Sequence, residues 1–125
     1  MSQQTLRILV ADDDPTVCLL MKAALSREGY TVSTVSNGRD ALTEFCAEPF
    51  AMVLLDVEMP ELDGYQACSE LRRLYGEALP IVLITGHNDQ RASEAACKAG
   101  ASDFISKPVH WTTLGERLRP MLAKI

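Results

Sequence analysis

The chain has 125 residues, the size of a single domain, with 47% hydrophobic and 23% charged residues, which predicts a packed core and excludes a disordered chain. A net charge of −5 argues against direct nucleic-acid binding, because neutralising phosphates takes an excess of Lys and Arg. No apolar run reaches the length of a membrane span, and Met1 to Val10 lacks the character of a signal peptide, so a cytoplasmic protein with no membrane partner is expected.

Apolar runs alternate with helical periods along the chain. Leu6 to Ala11 reads as a strand. Pro15 to Glu28 reads as a helix with an apolar stripe of Val17, Leu20, Met21 and Ala24, Pro15 in its first turn and Gly29 at its end. Tyr30 to Val35 is a β-branched second strand, and Asn37 to Glu48 a helix burying Ala41, Leu42 and Phe45. Ala51 to Leu55 is a continuous apolar third strand. Pro60 and the Asp63-Gly64 pair mark a loop; Tyr65 to Tyr75 follows as a helix with Leu71 and Leu74 inward. Pro80 to Ile84 is a fourth strand. Asn88 to Ala99 is a helix whose inner face holds only Ala92, Ala95, Ala96 and Ala99, so it should be easily shifted. Asp103 to Ser106 is a short fifth strand. The last helix runs from Trp111 to about Arg119 with Leu114 and Leu118 inward, and Pro120 should end or kink it. Cys18, Cys46, Cys68 and Cys97 form no C-x-x-C pair and read as small buried or semi-buried hydrophobes.

Strict β-α alternation implies a parallel sheet covered on both faces, an α/β fold in which right-handed crossovers bring every strand's carboxyl end to one edge. The residues at those ends are Asp12, Asp13 and Asp14 after the first strand, Asp56 after the third, Thr85 at the fourth and Lys107 after the fifth. A strand order of 2-1-3-4-5 reverses between strands one and three, where open α/β sheets bind ligands, and this places Asp12 and Asp13 beside Asp56. Taken singly, an Asp after a strand is most often a helix cap, and Asp14 before Pro15 is expected to be one. The coincidence of all four strand ends carries the argument.

Three clustered carboxylates repel one another, and a hard divalent cation relieves them. Oxygen ligands without His or Cys favour Mg²⁺ or Mn²⁺. A carboxylate can attack a phosphoryl group whose oxygens are neutralised, and Lys107 and the Thr85 hydroxyl would supply charge and a donor. With no strong base to activate water, the acyl phosphate should persist, which suits a switch more than a hydrolase. Lys107 must turn back as its strand ends, and a cis Lys107–Pro108 bond makes that reversal at a cost of about 0.5–1 kcal/mol.

The stretches ILVADDDP (8–15), VLLDVEMPELDG (53–64), PIVLITGHND (80–89) and AGASDFISKP (99–108) resemble the receiver domains of bacterial two-component response regulators, across nearly the whole chain and in the family's order. The resemblance implies a flavodoxin-like, doubly wound five-stranded parallel sheet with five helices, as one receiver domain over residues 1–125. It implies that Asp56 accepts a phosphoryl group from a phosphohistidine on a sensor histidine kinase or phosphotransfer protein. Asp13 and Asp56 would ligate Mg²⁺ directly, Asp12 through water, and the Glu58 carbonyl would complete the protein ligands. Thr85 and Lys107 would hold the phosphoryl oxygens. Thr85 and Phe104 would link the site to a switching face of the fourth helix, fifth strand and last helix. Glu58 and His87 would flank the path of attacking water and tune the lifetime of the phosphoryl group.

Two rivals exist. Asp12-x-Asp14-x-Thr16 fits the first motif of haloacid-dehalogenase-type phosphatases, with Asp12 as nucleophile and Asp14 as acid/base, but this reading leaves Asp56 unexplained. A pseudo-receiver that never takes phosphate is opposed by the complete acid, Thr and Lys set. DFISKPVHWTTLGERLRPML is similar to the end of receivers preceding cyclic di-GMP turnover modules. The chain is therefore expected to be the receiver part of a longer regulator that controls an output domain, with a stand-alone signalling protein acting on a partner as the alternative; in the longer form a phosphorylation-dependent homodimer is expected.

Overall fold

Five short stretches, continuously apolar in the middle of the sheet and mixed in character at its two edges, each followed by a polar turn and a helical period, form the sheet. In the computed structural model, which describes residues 5–86 and 90–123, the order is β1 (Arg7–Ala11), α1 (Pro15–Arg27), β2 (Thr31–Val35), α2 (Gly38–Ala47), β3 (Met52–Asp56), α3 (Gly64–Tyr75), β4 (Ile81–Thr85), α4 (Gln90–Ala99), β5 (Asp103–Ser106) and α5 (Trp111–Leu122). The sheet is ordered β2-β1-β3-β4-β5 and every pairing is parallel, as expected. His87, and Asn88 and Asp89 at the start of the predicted fourth helix, lie outside the described residues.

Side chains of a strand alternate between the two faces, so each central strand feeds two cores. Leu9, Val53, Leu55 and Leu83 pack under α2, α3 and α4 against Phe45, Cys68, Leu71 and Ala96. Ile8, Val10, Met52, Leu54 and Ile84 pack on the opposite face against Met21 and Leu25 of α1 and Leu114 and Leu118 of α5. All five residues of β3 and of β4 are buried, and each large apolar side chain among them contributes about 1.5–3 kcal/mol. The strands that carry Asp56 and Thr85 are thus the most firmly held.

Four readings of the sequence are corrected. In α1, Met21 and Leu25 are the buried residues, with Val17 against them, while Leu20 is 42% exposed. The run VCLLM offers more apolar residues than one face can take, and the 17-21-25 row points at the sheet. Leu74 is 47% exposed, because α3 turns Ala67, Cys68 and Leu71 inward instead. The last helix continues through Pro120 to Leu122. Pro120 and Glu116, whose carbonyl loses its partner there, both face solvent, while Leu118 and Leu122 are buried and hold the final turn. Finally, Cys68 is buried and Cys18 half-buried, but Cys46 and Cys97 are exposed on the outer faces of α2 and α4. Ala92, Ala96 and Ala99 form the buried face of α4 as expected, with Ala95 half-buried.

Candidate functional site

Backbone hydrogen bonds across the carboxyl edge fix the strand ends relative to one another. The Asp12 amide donates to the Val35 carbonyl (3.1 Å), Val57 to Ile84 (2.8 Å) and Lys107 to Thr85 (2.7 Å). β3 continues one residue further than its apolar run, so Asp56 is itself a strand residue paired with Ile84. The loop after it is pressed close: the Gly64 amide donates to the Val57 carbonyl at 2.9 Å, and a Cβ on Gly64 would stand 2.5 Å from the Asp56 carbonyl oxygen. Asp63 caps α3 with a reciprocal capping box through Gln66, which fixes the end of that loop.

Asp12, Asp13 and Asp56 come together with a carboxylate oxygen of each within 4.8 Å of the others. Asp12 and Asp56 are buried, at 2% and 3% exposure, and Asp13 faces solvent. Lys107 Nζ lies 3.0 Å from Asp56 Oδ1 and 3.6 Å from Asp12 Oδ2, so the lysine bridges both buried acids. The contact with Asp56 is an ion pair whose approach is not that of a hydrogen bond, and no donor is aligned on the buried Oδ1. Burial pushes the Asp56 carboxyl up to about 6, against the opposing pull of Lys107. Burial raises Asp12 as well, opposed by the Asp14 amide, which donates to Asp12 Oδ1 at 2.9 Å. Burial works against the charge on Lys107, but pairing with Asp56 and Asp12 outweighs it and raises the lysine. The pair is therefore unequal: Asp56 loses more to desolvation than Lys107 returns.

The remaining predicted residues fall around this cluster. Thr85 is fully buried at the end of β4. Phe104 is half-buried, paired with Leu83, and packs on the α3/α4 core. Glu58 is exposed, with its carboxylate 3.9 Å from where a Cβ on Gly86 would stand, so it reaches toward the turn after β4. The Lys107–Pro108 peptide is cis, as expected. Asp14 stays out of the cluster. It caps α1, its Oδ1 accepting from the Thr16 amide at 2.9 Å, which leaves the phosphatase reading without its acid/base. The sequence reading missed the surroundings of the cluster. Cys18 Sγ donates to the Asp12 carbonyl at 3.2 Å. Two grooves flank α1, one lined by Asp13, Cys18, Leu19 and Lys22 and one by Val17, Lys107, Val109 and Trp111. The exposed pair Leu19 and Leu20 was the available signal.

Residues 8–119 match the model of the response regulator receiver domain. The chain belongs to that family. Among curated relatives, the receiver is 38% identical over 118 residues to the response regulator MprA of Mycolicibacterium vanbaalenii, which covers 94% of this chain and 51% of MprA. It is 38% identical over 116 residues to the transcriptional regulatory protein ZraR of Salmonella typhimurium, covering 93% of this chain and 26% of ZraR. The chain thus spans about half the length of one relative and a quarter of the other. A crystal structure of a putative response regulator from Chloroflexus aurantiacus superposes with a TM-score of 0.90 at 31% identity, covering 96% of this chain and 99% of that one. The protein is a receiver domain of two-component signal transduction, a signalling family. No helix of the described residues is long and apolar enough to cross a membrane.

Proposed function

We propose that Asp56 is the phosphoacceptor of this receiver, taking a phosphoryl group from a phosphohistidine of a sensor histidine kinase or phosphotransfer protein. One observation supports the assignment above the others: Asp56 Oδ1 is buried and lacks an aligned donor, and Asp56 belongs to the acidic cluster. Such an oxygen is costly to keep unless a ligand or a reaction uses it. The all-oxygen donor set suits Mg²⁺ or Mn²⁺, held by Asp12, Asp13, Asp56 and the Glu58 carbonyl. When bound, that ion would neutralise phosphoryl oxygens and relieve the repulsion among the acids.

In the transfer, an Asp56 carboxylate oxygen forms the new bond to phosphorus. The bond from phosphorus to the donor imidazole nitrogen breaks and leaves its electron pair on that nitrogen. Lys107 exchanges its pairing with Asp56 for pairing with a phosphoryl oxygen, and the Thr85 hydroxyl donates to another. Thr85 and Phe104 then carry the change to the face of α4, β5 and α5. Glu58 tunes the lifetime from the rim, and His87 is assigned the same role from the sequence. The donor docks along α1, where Leu19 is 67% exposed between the two grooves; an apolar ridge beside the acceptor suits a helical partner that must bring a histidine to Asp56. The reader of the switching face is an output domain. Regulation of transcription is the output named for ZraR, and a cyclic di-GMP turnover module or a phosphorylation-dependent homodimer are the outputs the sequence suggested.

Incubation with a small phosphodonor and Mg²⁺, followed by mass spectrometry, tests the assignment. Stoichiometric labelling should fall on Asp56 and vanish in Asp56→Asn, and beryllium fluoride should mimic the labelled state. Equal labelling of Asp56→Asn would reject Asp56, and sustained turnover of a generic phosphate ester would favour the phosphatase.

A further inference from the structure

The loop after Asp56 is pinned at both ends, and the outer pin comes from α2, a helix with no residue in the acidic cluster. At the inner end the Gly64 amide donates to the Val57 carbonyl at 2.9 Å. At the outer end the Gly38 amide, the first in α2, donates to the Leu62 carbonyl at 3.1 Å. The first amides of a helix have no partner within it. Asn37 Oδ1 takes the Asp40 amide at 2.7 Å, and Leu62 takes that of Gly38. Val57 is buried, and Met59 and Leu62 pack on the core beneath α2 and α3, whereas Glu58, Pro60 and Glu61 face solvent. The loop thus stands on three apolar side chains, with Glu58 between the first two.

Glycine alone suits position 38. The residue is buried, and a Cβ there would overlap the Leu62 carbonyl oxygen and stand 2.9 Å from its carbon. Both are backbone atoms, so only a shift of the loop or of the helix relieves the clash. The loop has little slack to give. The Leu62 amide donates to the Pro60 carbonyl at 2.8 Å, closing a three-residue turn about Glu61. Among the described residues Glu61 is the one non-glycine with a positive φ, +70°. Such turns are rare in L-residues, and they persist where their surroundings over-determine them. The Arg39–Glu61 ion pair is 4.0 Å long and exposed at both partners, so it adds little. The contact with buried Gly38 is the stronger restraint.

We propose that Gly38 is a positioning residue for the metal-binding loop: by letting the first turn of α2 close on Leu62, it fixes the turn at Glu61 and with it the Glu58 carbonyl three residues back. The inference rests on the proposed use of that carbonyl, with Asp12, Asp13 and Asp56, for Mg²⁺. It makes α2, which supplies no ligand, part of what sets metal affinity.

Calorimetric titration of Mg²⁺ into the whole chain, well below the unfolding temperature of each variant, tests this. Gly38→Ala should weaken binding about tenfold, the usual effect of disturbing what orients a metal ligand. Adding Glu61→Gly should recover most of the loss, because glycine adopts positive φ freely and lets the turn absorb the displaced carbonyl. Arg72→Met is the control for stability alone. It removes donors from the Leu79 and Gly100 carbonyls at the opposite edge of the sheet, and should be less stable yet bind Mg²⁺ as the native chain does. Native-like affinity in Gly38→Ala, a loss no larger than in Arg72→Met, or no recovery with Glu61→Gly overturns the proposal. If Gly38→Ala does not fold, hydrogen exchange in the native chain decides. Coupling between two sites is reciprocal, so Mg²⁺ should slow the Gly38 and Leu62 amides about fivefold more than those of Thr43 and Glu44, further along α2. Equal slowing of all four overturns the proposal. Absence of Mg²⁺ binding to the native chain removes the metal site and this proposal with it, whereas native-like binding by Gly38→Ala removes the positioning role alone.

Discussion

The two edges of the sheet solve opposite problems. At the carboxyl edge, two buried carboxylates and a lysine are crowded together, and one buried oxygen of Asp56 has no aligned donor. At the other edge, the polar groups of the turns are matched: Arg72 satisfies three carbonyls and a hydroxyl, and Arg7 pairs with Glu48 at 3.0 Å while its guanidinium lies 4.2 Å from the centre of the Phe50 ring. Phe45 packs tilted against Phe50 and edge-on against Tyr75 there. The lesson is that one edge is held ready for a ligand at a cost in stability, and the other edge offsets that cost.

The comparison breaks most visibly at Arg72. Replacing it with Met should lower stability by about 1–3 kcal/mol, since two part-buried carbonyls and two exposed acceptors lose a charged donor, as measured by urea unfolding. A loss below the error of that measurement would mean the second edge is not the reinforced one.

At the other edge the sign should reverse. Asp56→Asn should raise stability by about 1–3 kcal/mol at neutral pH in the absence of divalent cations. The folded-state value for Asp56, about 6, lies above the unfolded value of an aspartate, about 3.9. The folded protein therefore holds the extra proton between those values, and native stability falls as pH rises through that window. The gain from Asn should accordingly be small near pH 4 and complete above about pH 7. A pH-independent gain would remove the desolvation argument.

Lys107 sharpens the comparison further, because it occupies the charge position that a cation would relieve. Lys107→Met should tighten Mg²⁺ binding by roughly tenfold, from loss of a positive charge 3.0 and 3.6 Å from two carboxylates of the acidic cluster, while phosphoryl transfer falls. Titration by tryptophan fluorescence or calorimetry reads the affinity; weaker binding in the variant would contradict the bridging role. The smallest effect is expected away from both edges. Arg119→Ala removes an exposed pair with Glu28, 2.8 Å long, and should cost about 0–1 kcal/mol, less in high salt. At the rim, Glu58→Ala should change the dephosphorylation rate without altering the labelled residue.

What was legible in the sequence follows the strength of local signals. β5 was read to the residue, Asp103 to Ser106, because polar turns bound it on both sides. The inner face of α4 was legible because alanine is the only apolar residue type available to it in number. Leu20 and Leu74 were misplaced because α1 and α3 carry more apolar residues than one face can bury, and only docking on the sheet picks the face. Pro120 misled because a proline rule is local. Its missing donor costs little where Glu116 is exposed and Leu122, two residues on, is buried.

The sequence by itself determined the fold class and the four strand ends that share one edge, because alternation of apolar runs and right-handed crossovers put every strand's carboxyl end on the same side; the strand order came from the resemblance to receiver domains. Only the tertiary structure decided that Lys107 bridges Asp12 and Asp56, that Asp14 turns away to cap α1, and that Arg72 joins three separate turns. Those facts depend on side chains distant in sequence meeting at distances of about 3 Å, and no local propensity or spacing encodes where two such side chains will point.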